Sequence, residues 1–177
     1  MSRIGNKPVE LNDVKVSEQD NLIVIEGKKG KLTIKQLSGI NIKVVDSVLT
    51  VSRDNDQKET RANHGLLRSL IYNAVIGVTS GYLKNMFLQG IGYRVQKKGN
   101  NLEFSLGYSH PVLFKAPNGI EFNVEGQNKF TVSGIDNQIV GQVCAEIKRL
   151  RKKDSYKGKG IFFEGESIKK KQGKSVK

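Results

Sequence analysis

The sequence predicts an α+β fold: two tandem homologous domains, each a small mostly antiparallel sheet covered by one helix, plus a basic C-terminal extension. Three observations predict it. The chain repeats itself at an offset of 80 positions. Its short apolar runs alternate with a period of two, and each series of runs closes on a segment of helical periodicity.

The repeat is read directly. Asn21-Leu22 recurs as Asn101-Leu102, and in the same register Gly27 meets Gly107, Lys35 meets Lys115, Gly39-Ile40 meets Gly119-Ile120 and Val44 meets Val124. One insertion later, Leu49-Thr50-Val51-Ser52 aligns with Phe130-Thr131-Val132-Ser133. In the first copy, 22–26, 31–35, 40–44 and 48–51 are β-branched runs with one apolar face, separated by the turns Lys28-Lys29-Gly30 and Asp46-Ser47. In the second, 94–96 and 102–106 flank a glycine-bearing hairpin loop over 97–101. Pro117-Asn118-Gly119 then turns the chain into a strand over 120–124.

Each copy ends in a helix. The first, over 57–78, is expected to turn Ala62, Leu66, Leu67, Leu70, Ile71, Ala74 and Val78 inward and Arg61, His64, Arg68 and Tyr72 outward. The second has Asp136 or Asn137 as its cap. It places Ile139, Val140, Val143, Cys144, Ile147 and Leu150 on one arc of about 140°. With a junction at 77–81, the domains are 1–81 and 82–152, followed by the extension 153–177.

Charge divides the chain unevenly. There are 30 Lys and Arg against 17 Asp and Glu, a formal net charge of +13. Residues 148–177 hold twelve of those cations against Asp154, Glu164 and Glu166, so +9 of the +13 lies there. Such an excess calls for a polyanionic partner, because cations that neutralise phosphates release condensed counterions. No stretch approaches the ~20 apolar residues of a membrane span, and the polar start Met1-Ser2-Arg3-Ile4-Gly5-Asn6-Lys7-Pro8 is not a secretion signal, so no membrane partner is expected. A single cysteine allows no internal disulfide, and with two histidines it makes no conventional zinc site. A cytoplasmic protein without metal or cofactor follows.

Motifs that carry catalysis fail on spacing. His64 lies between Arg61 and Arg68, and His110 lies in Tyr108-Ser109-His110-Pro111; neither has triad partners at a telling spacing, and an RNA-facing role suits both better. Cys144 sits on an apolar helix stripe and reads as an inert buried thiol. Gly173-Lys174-Ser175 resembles the end of a phosphate-binding loop, but Ile168 occupies the place of its first glycine. Gly90-Ile91-Gly92 has Val95 where a dinucleotide fingerprint needs a third glycine, so a tight backbone bend is expected there instead. No catalytic residue and no small-molecule substrate are expected, and the chain is read as a non-enzyme.

The extension carries the binding signal. Lys152 and Lys153 lead into Tyr156-Lys157-Gly158-Lys159-Gly160, where lysines alternate with glycines beside an aromatic. Lys169, Lys170, Lys171 and Lys174 repeat the cationic theme. Lysines neutralise phosphate, tyrosine stacks, and the glycines are expected to let backbone amides approach phosphate closely. Apolar periodicity ends at Leu150, and beyond it only Ile161, Phe162, Phe163 and Ile168 could add to packing, so a chain ending near Asp154 is expected to keep both helices and most of its sheet.

From end to end, the sequence resembles the bacterial form of the sixth large-subunit ribosomal protein family. The matching motifs are Met1-Ser2-Arg3-Ile4-Gly5 with Lys7-Pro8, Arg61-Ala62-Asn63-His64-Gly65 with Arg68, Gly90-Ile91-Gly92-Tyr93-Arg94, Gly107-Tyr108-Ser109-His110-Pro111-Val112 and Tyr156-Lys157-Gly158-Lys159-Gly160-Ile161. Lys153 and Leu66 depart from it, where proline or a small residue and threonine, respectively, are common. The resemblance implies a structural constituent of the large ribosomal subunit that binds large-subunit rRNA through its second domain and C-terminal arm. It also implies a place near the base of the lateral stalk and the docking region of translational GTPases, beside neighbouring large-subunit proteins. On that basis Gly90, Gly92, Tyr93, Arg94, Tyr108, Ser109 and His110 join the arm as expected rRNA contacts, with Arg3, Lys7, Arg61, His64 and Arg68 as further ones.

Overall fold

A computed structural model describes residues 4–173 except Asn12 and Asp20. Arg3, Lys174 and Lys177 therefore lie outside the described residues. The chain divides into two compact units, one running to Gly81 and including Ile135–Asn137, the other made of Tyr82–Gly134 and everything from Gln138 on.

In the first unit the strands are β1 (Val9–Glu10), β2 (Lys15–Gln19), β3 (Leu22–Gly27), β4 (Gly30–Lys35), β5 (Ile40–Val45) and β6 (Val48–Arg53), followed by helix α1 (Lys58–Thr79). They form two antiparallel three-stranded sheets, in the orders β2-β3-β4 and β1-β6-β5. Asp46 and Ser47 both take positive φ, 47° and 65°, in the two-residue β5–β6 turn, as a primed hairpin turn requires. The core sets Leu67, Ile71, Ala74 and Val78 of α1 against Ile23, Ile25, Ile40 and Leu49 of the sheets.

The inward face of α1 is rotated from the expected one. Ala62 is exposed and Leu66 is half-exposed, while Thr60, His64 and Val75 are buried. At 100° per residue, positions 60, 64, 67, 71, 74 and 78 share an arc that Ala62 and Leu66 leave. Histidine belongs on that arc because both ring nitrogens find partners. Nε2 donates to the Val51 carbonyl at 2.9 Å and Nδ1 accepts from Arg53 Nη1 at 3.3 Å.

The second unit repeats the plan. It contains β7 (Tyr82–Gln89), β8 (Arg94–Lys98), β9 (Asn101–Ser105), β10 (Val112–Phe114), β11 (Ile120–Glu125) and β12 (Lys129–Gly134). Helix α2 (Asn137–Leu150) and a last strand β13 (Gly160–Phe163) follow. The order β10-β9-β8 matches β4-β3-β2, and β11-β12-β7 matches β5-β6-β1. Val140, Val143, Cys144 and Ile147 of α2 pack on Leu102, Phe104, Phe122, Phe130 and Val132. Within the expected stripe Ile139 is more than a third exposed.

The second unit also has something the first lacks. β13 adds to the free edge of β7, pairing Ile161 with Leu88 and Phe163 with Met86, antiparallel. Ile161 is fully buried in the core, and Phe162 stacks on Phe87 with ring centroids 5.2 Å apart. The segment set apart on charge thus contributes a fourth, buried strand to a sheet that a chain ending near Asp154 is expected to keep only in most part. Ile161, Phe162 and Phe163 carry the needed apolar surface, but three residues show no periodicity.

Candidate nucleic-acid interface

The path from α2 to β13 is a closed loop organised by one acid. The Asp154 N–H donates to the Lys159 carbonyl at 2.8 Å, and the Gly158 N–H donates to the Asp154 carbonyl at 3.0 Å. Its carboxylate accepts the N–H of Tyr156 at 2.9 Å on one oxygen and that of Lys157 at 3.1 Å on the other. Those two amides hold the carboxyl below the ordinary aspartate range. The tail returns to this loop. The Lys171 N–H donates to the Ser155 carbonyl at 2.9 Å, and a Cβ built on Gly158 would lie 3.3 Å from Cε of Lys170. Two lysine clusters separated in sequence therefore form one patch.

This geometry gives the glycines a role within the loop itself. Gly158 has φ +70° and spends its amide inside the loop. Gly160 has φ +142°, and a Cβ there would meet Lys153 Cα at 2.9 Å and the Lys152 carbonyl at 3.0 Å. Both glycines are needed so that the chain can close on itself. Lys157 is exposed and the Tyr156 ring is 60% exposed.

Two further loops meet the end of α2. Between β7 and β8, the Tyr93 N–H closes a turn on the Gly90 carbonyl at 3.2 Å, with Gly92 at φ +76°. A side chain on Gly90 would strike the Tyr93 ring, 2.8 Å away. Tyr93 itself is buried, and its hydroxyl accepts from Nε of Arg151 at 3.0 Å. The same guanidinium lies over the Tyr108 ring at 4.9 Å, and the Tyr108 hydroxyl donates to the Leu150 carbonyl at 2.9 Å. Interactions with Tyr108 and Tyr93 raise the Arg151 pKa further, so this cation is permanent. Around this clasp, Ile91 is 93% exposed, Tyr108 is 46% exposed, and Arg94, Ser109, His110 and Lys152 also face solvent.

The structure thus gathers the loops that carry Gly90, Gly92 and Arg94, and Tyr108, Ser109 and His110, at the end of α2, from which the 154–160 loop continues. Some of the expected contacts have partners within the chain. Tyr93 is a core residue that holds the turn from beneath, and Lys153 pairs with Glu166. In the other unit, Lys7 and Arg61 are exposed, His64 is buried, and Arg68 donates to the carbonyls of Lys7 at 3.0 Å and Pro8 at 3.1 Å. Arg68 therefore ties the N-terminal segment to α1, and a Cβ on Gly5 would lie 2.6 Å from the His64 ring. Sequence reasoning missed Arg151 and Asp154. Both were legible as charges, but their partners lie on other loops or depend on a turn.

A second carboxylate-centred contact follows β13. Glu166 accepts from Lys148 at 2.9 Å, from Lys153, and from the Phe163 N–H at 3.1 Å. Among the described residues no group of three His, Cys, Asp or Glu side chains is placed to hold a metal, and no helix is long and apolar enough to cross a membrane.

A duplicated α+β scaffold, each copy reusing one framework, with cations and half-exposed aromatics on loops of the second unit, is an arrangement that suits a structural RNA-binding protein. The family model of ribosomal protein L6 matches twice, over residues 12–81 and 89–163, one match to each repeat. The chain belongs to the ribosomal protein L6 family. Its members are structural, rRNA-binding components of the large subunit of the cytoplasmic ribosome and serve translation without being enzymes.

Proposed function

We propose that this chain grips large-subunit rRNA through its second unit, on the patch formed by the 90–94, 107–110 and 154–160 loops with the returning Lys169–Lys171 segment. The observation that carries the reading is the Arg151 clasp. It draws two sequence-distant loops, each matching a motif of the family, to the end of the helix that leads into the 154–160 loop. Lys152, Lys157, Lys169, Lys170 and Lys171 neutralise phosphates, while Tyr108 and Tyr156 offer ring faces to unstacked bases or sugars. The first unit, where Lys7 and Arg61 are the expected contacts that face outward among the described residues, is left to neighbouring large-subunit proteins. On the family resemblance, the site lies near the base of the lateral stalk, close to where translational GTPases dock.

Crosslinking the full chain within intact large subunits tests this. Crosslinks from Lys157 and Lys170 to one compact rRNA region near the stalk base are expected. Crosslinks chiefly from the first unit, through Lys7 and Arg61, would overturn the reading.

A further inference from the structure

We propose that Asp154, an acid in the most cationic stretch of the chain, is the positioning residue of the RNA-binding loop and fixes Tyr156, Lys157 and Lys159 before RNA arrives. The inference rests on the reading of that loop as an rRNA contact. Its ground is the hydrogen-bond pattern. Both carboxylate oxygens face backbone amides of the loop, and the residue's own N–H and C=O close the same loop on Lys159 and Gly158. The other well-anchored acid of the segment, Glu166, neutralises Lys148 and Lys153. Asp154 instead satisfies amides that would otherwise need water or a new conformation. The returning tail depends on this arrangement, because Lys171 binds the carbonyl of Ser155, the next residue.

The two physical effects of this carboxylate on RNA binding have opposite signs. As a charge it repels phosphate, so its removal alone tightens binding and steepens the salt dependence. As a brace it holds the amides of Tyr156 and Lys157 in one conformation, so its removal makes RNA binding bear the cost of ordering them. The inference is that the brace wins. Lys157 and Lys159 are useful only when both project from a fixed loop, and the glycines at 158 and 160 leave the unbraced chain unusually free.

The test compares Asp154→Ala and Asp154→Asn in the full chain, which carry the same net charge and differ in whether an oxygen remains for one amide. The probe is purified large-subunit rRNA, and amide hydrogen exchange is measured on the free protein. Asp154→Ala is expected to raise the Kd about tenfold, the cost of reordering a short segment, and to speed exchange at Tyr156 and Lys157. Asp154→Asn should fall between it and the parent in both readouts. Tighter or unchanged binding by Asp154→Ala overturns the proposal, as does equal binding by the two variants. If Asp154→Ala does not fold, Asp154→Asn against the parent decides alone, with equal or tighter binding counting against the brace. Lys157→Ala/Lys159→Ala in the parent background separates the premises. If it leaves affinity unchanged, the loop is not an RNA contact. If it weakens binding while Asp154→Ala does not, only the role of Asp154 falls.

Discussion

Glu166 shows how single residues keep a cationic segment folded. Burial pushes its carboxyl up, but hydrogen bonds from Lys153, Lys148 and the Phe163 amide outweigh burial and hold it at about 2. A carboxyl depressed in the folded state stabilises above its unfolded value, and that stability disappears as pH falls through the folded value. Thermal unfolding should therefore show a loss on the order of 2 kcal/mol between about pH 4.5 and pH 2. Glu166→Gln should remove that component and lower stability at neutral pH. A parallel pH profile for parent and variant would contradict the account. Cys144 makes the opposite case. Burial pushes its thiol up to about 11 against the pull of Lys84 and Lys148, so a maleimide should not label it in the native protein. Cys144→Ala should cost about 1 kcal/mol in denaturant titrations and leave RNA affinity unchanged. This burial was legible in the helix stripe. That of His64 was not, because its partners Val51 and Arg53 belong to a strand that spacing along the helix cannot reveal.

At the scale of elements, β13 changes what truncation means. A chain ending at Asp154 loses Ile161 and Phe162, both essentially fully buried, and uncovers the edge of β7. At about 2 kcal/mol for each buried side chain, the second unit should lose about 4 kcal/mol or more. The measurement is the urea midpoint of the truncated chain. A midpoint within experimental error of the parent's would show that β13 is dispensable. Strands with one apolar face, such as β3, β4 and β11, were legible from alternation. β2 and β13 were not: the first exposes nearly all its side chains, and the second is too short for a pattern. β1, two residues long, gives no periodic signal at all. In the candidate site, the lysines and tyrosines were legible as composition. The clasp and the brace were not, because Arg151 and Asp154 act through groups brought to them only by the fold.

Across the whole molecule, duplication supplied two frameworks, and the second carries the additions. The two share strand order, yet the second adds an edge strand and carries the cationic loop that leads into it. The central claim is that the loops of this unit hold the rRNA. The most direct test is affinity for large-subunit rRNA as a function of salt, for the parent and for two variants. One replaces Lys157, Lys159, Lys169, Lys170 and Lys171 with Gln, and the other replaces Lys28, Lys29, Lys31, Lys35 and Lys43 of the first unit, for the same change in charge. The log–log plot of the parent should fall steeply. The second-unit variant should flatten that slope by roughly 0.7–0.9 for each phosphate it no longer neutralises, with little change for the first-unit variant. A parent plot flat in salt, or equal flattening by both variants, would contradict the claim.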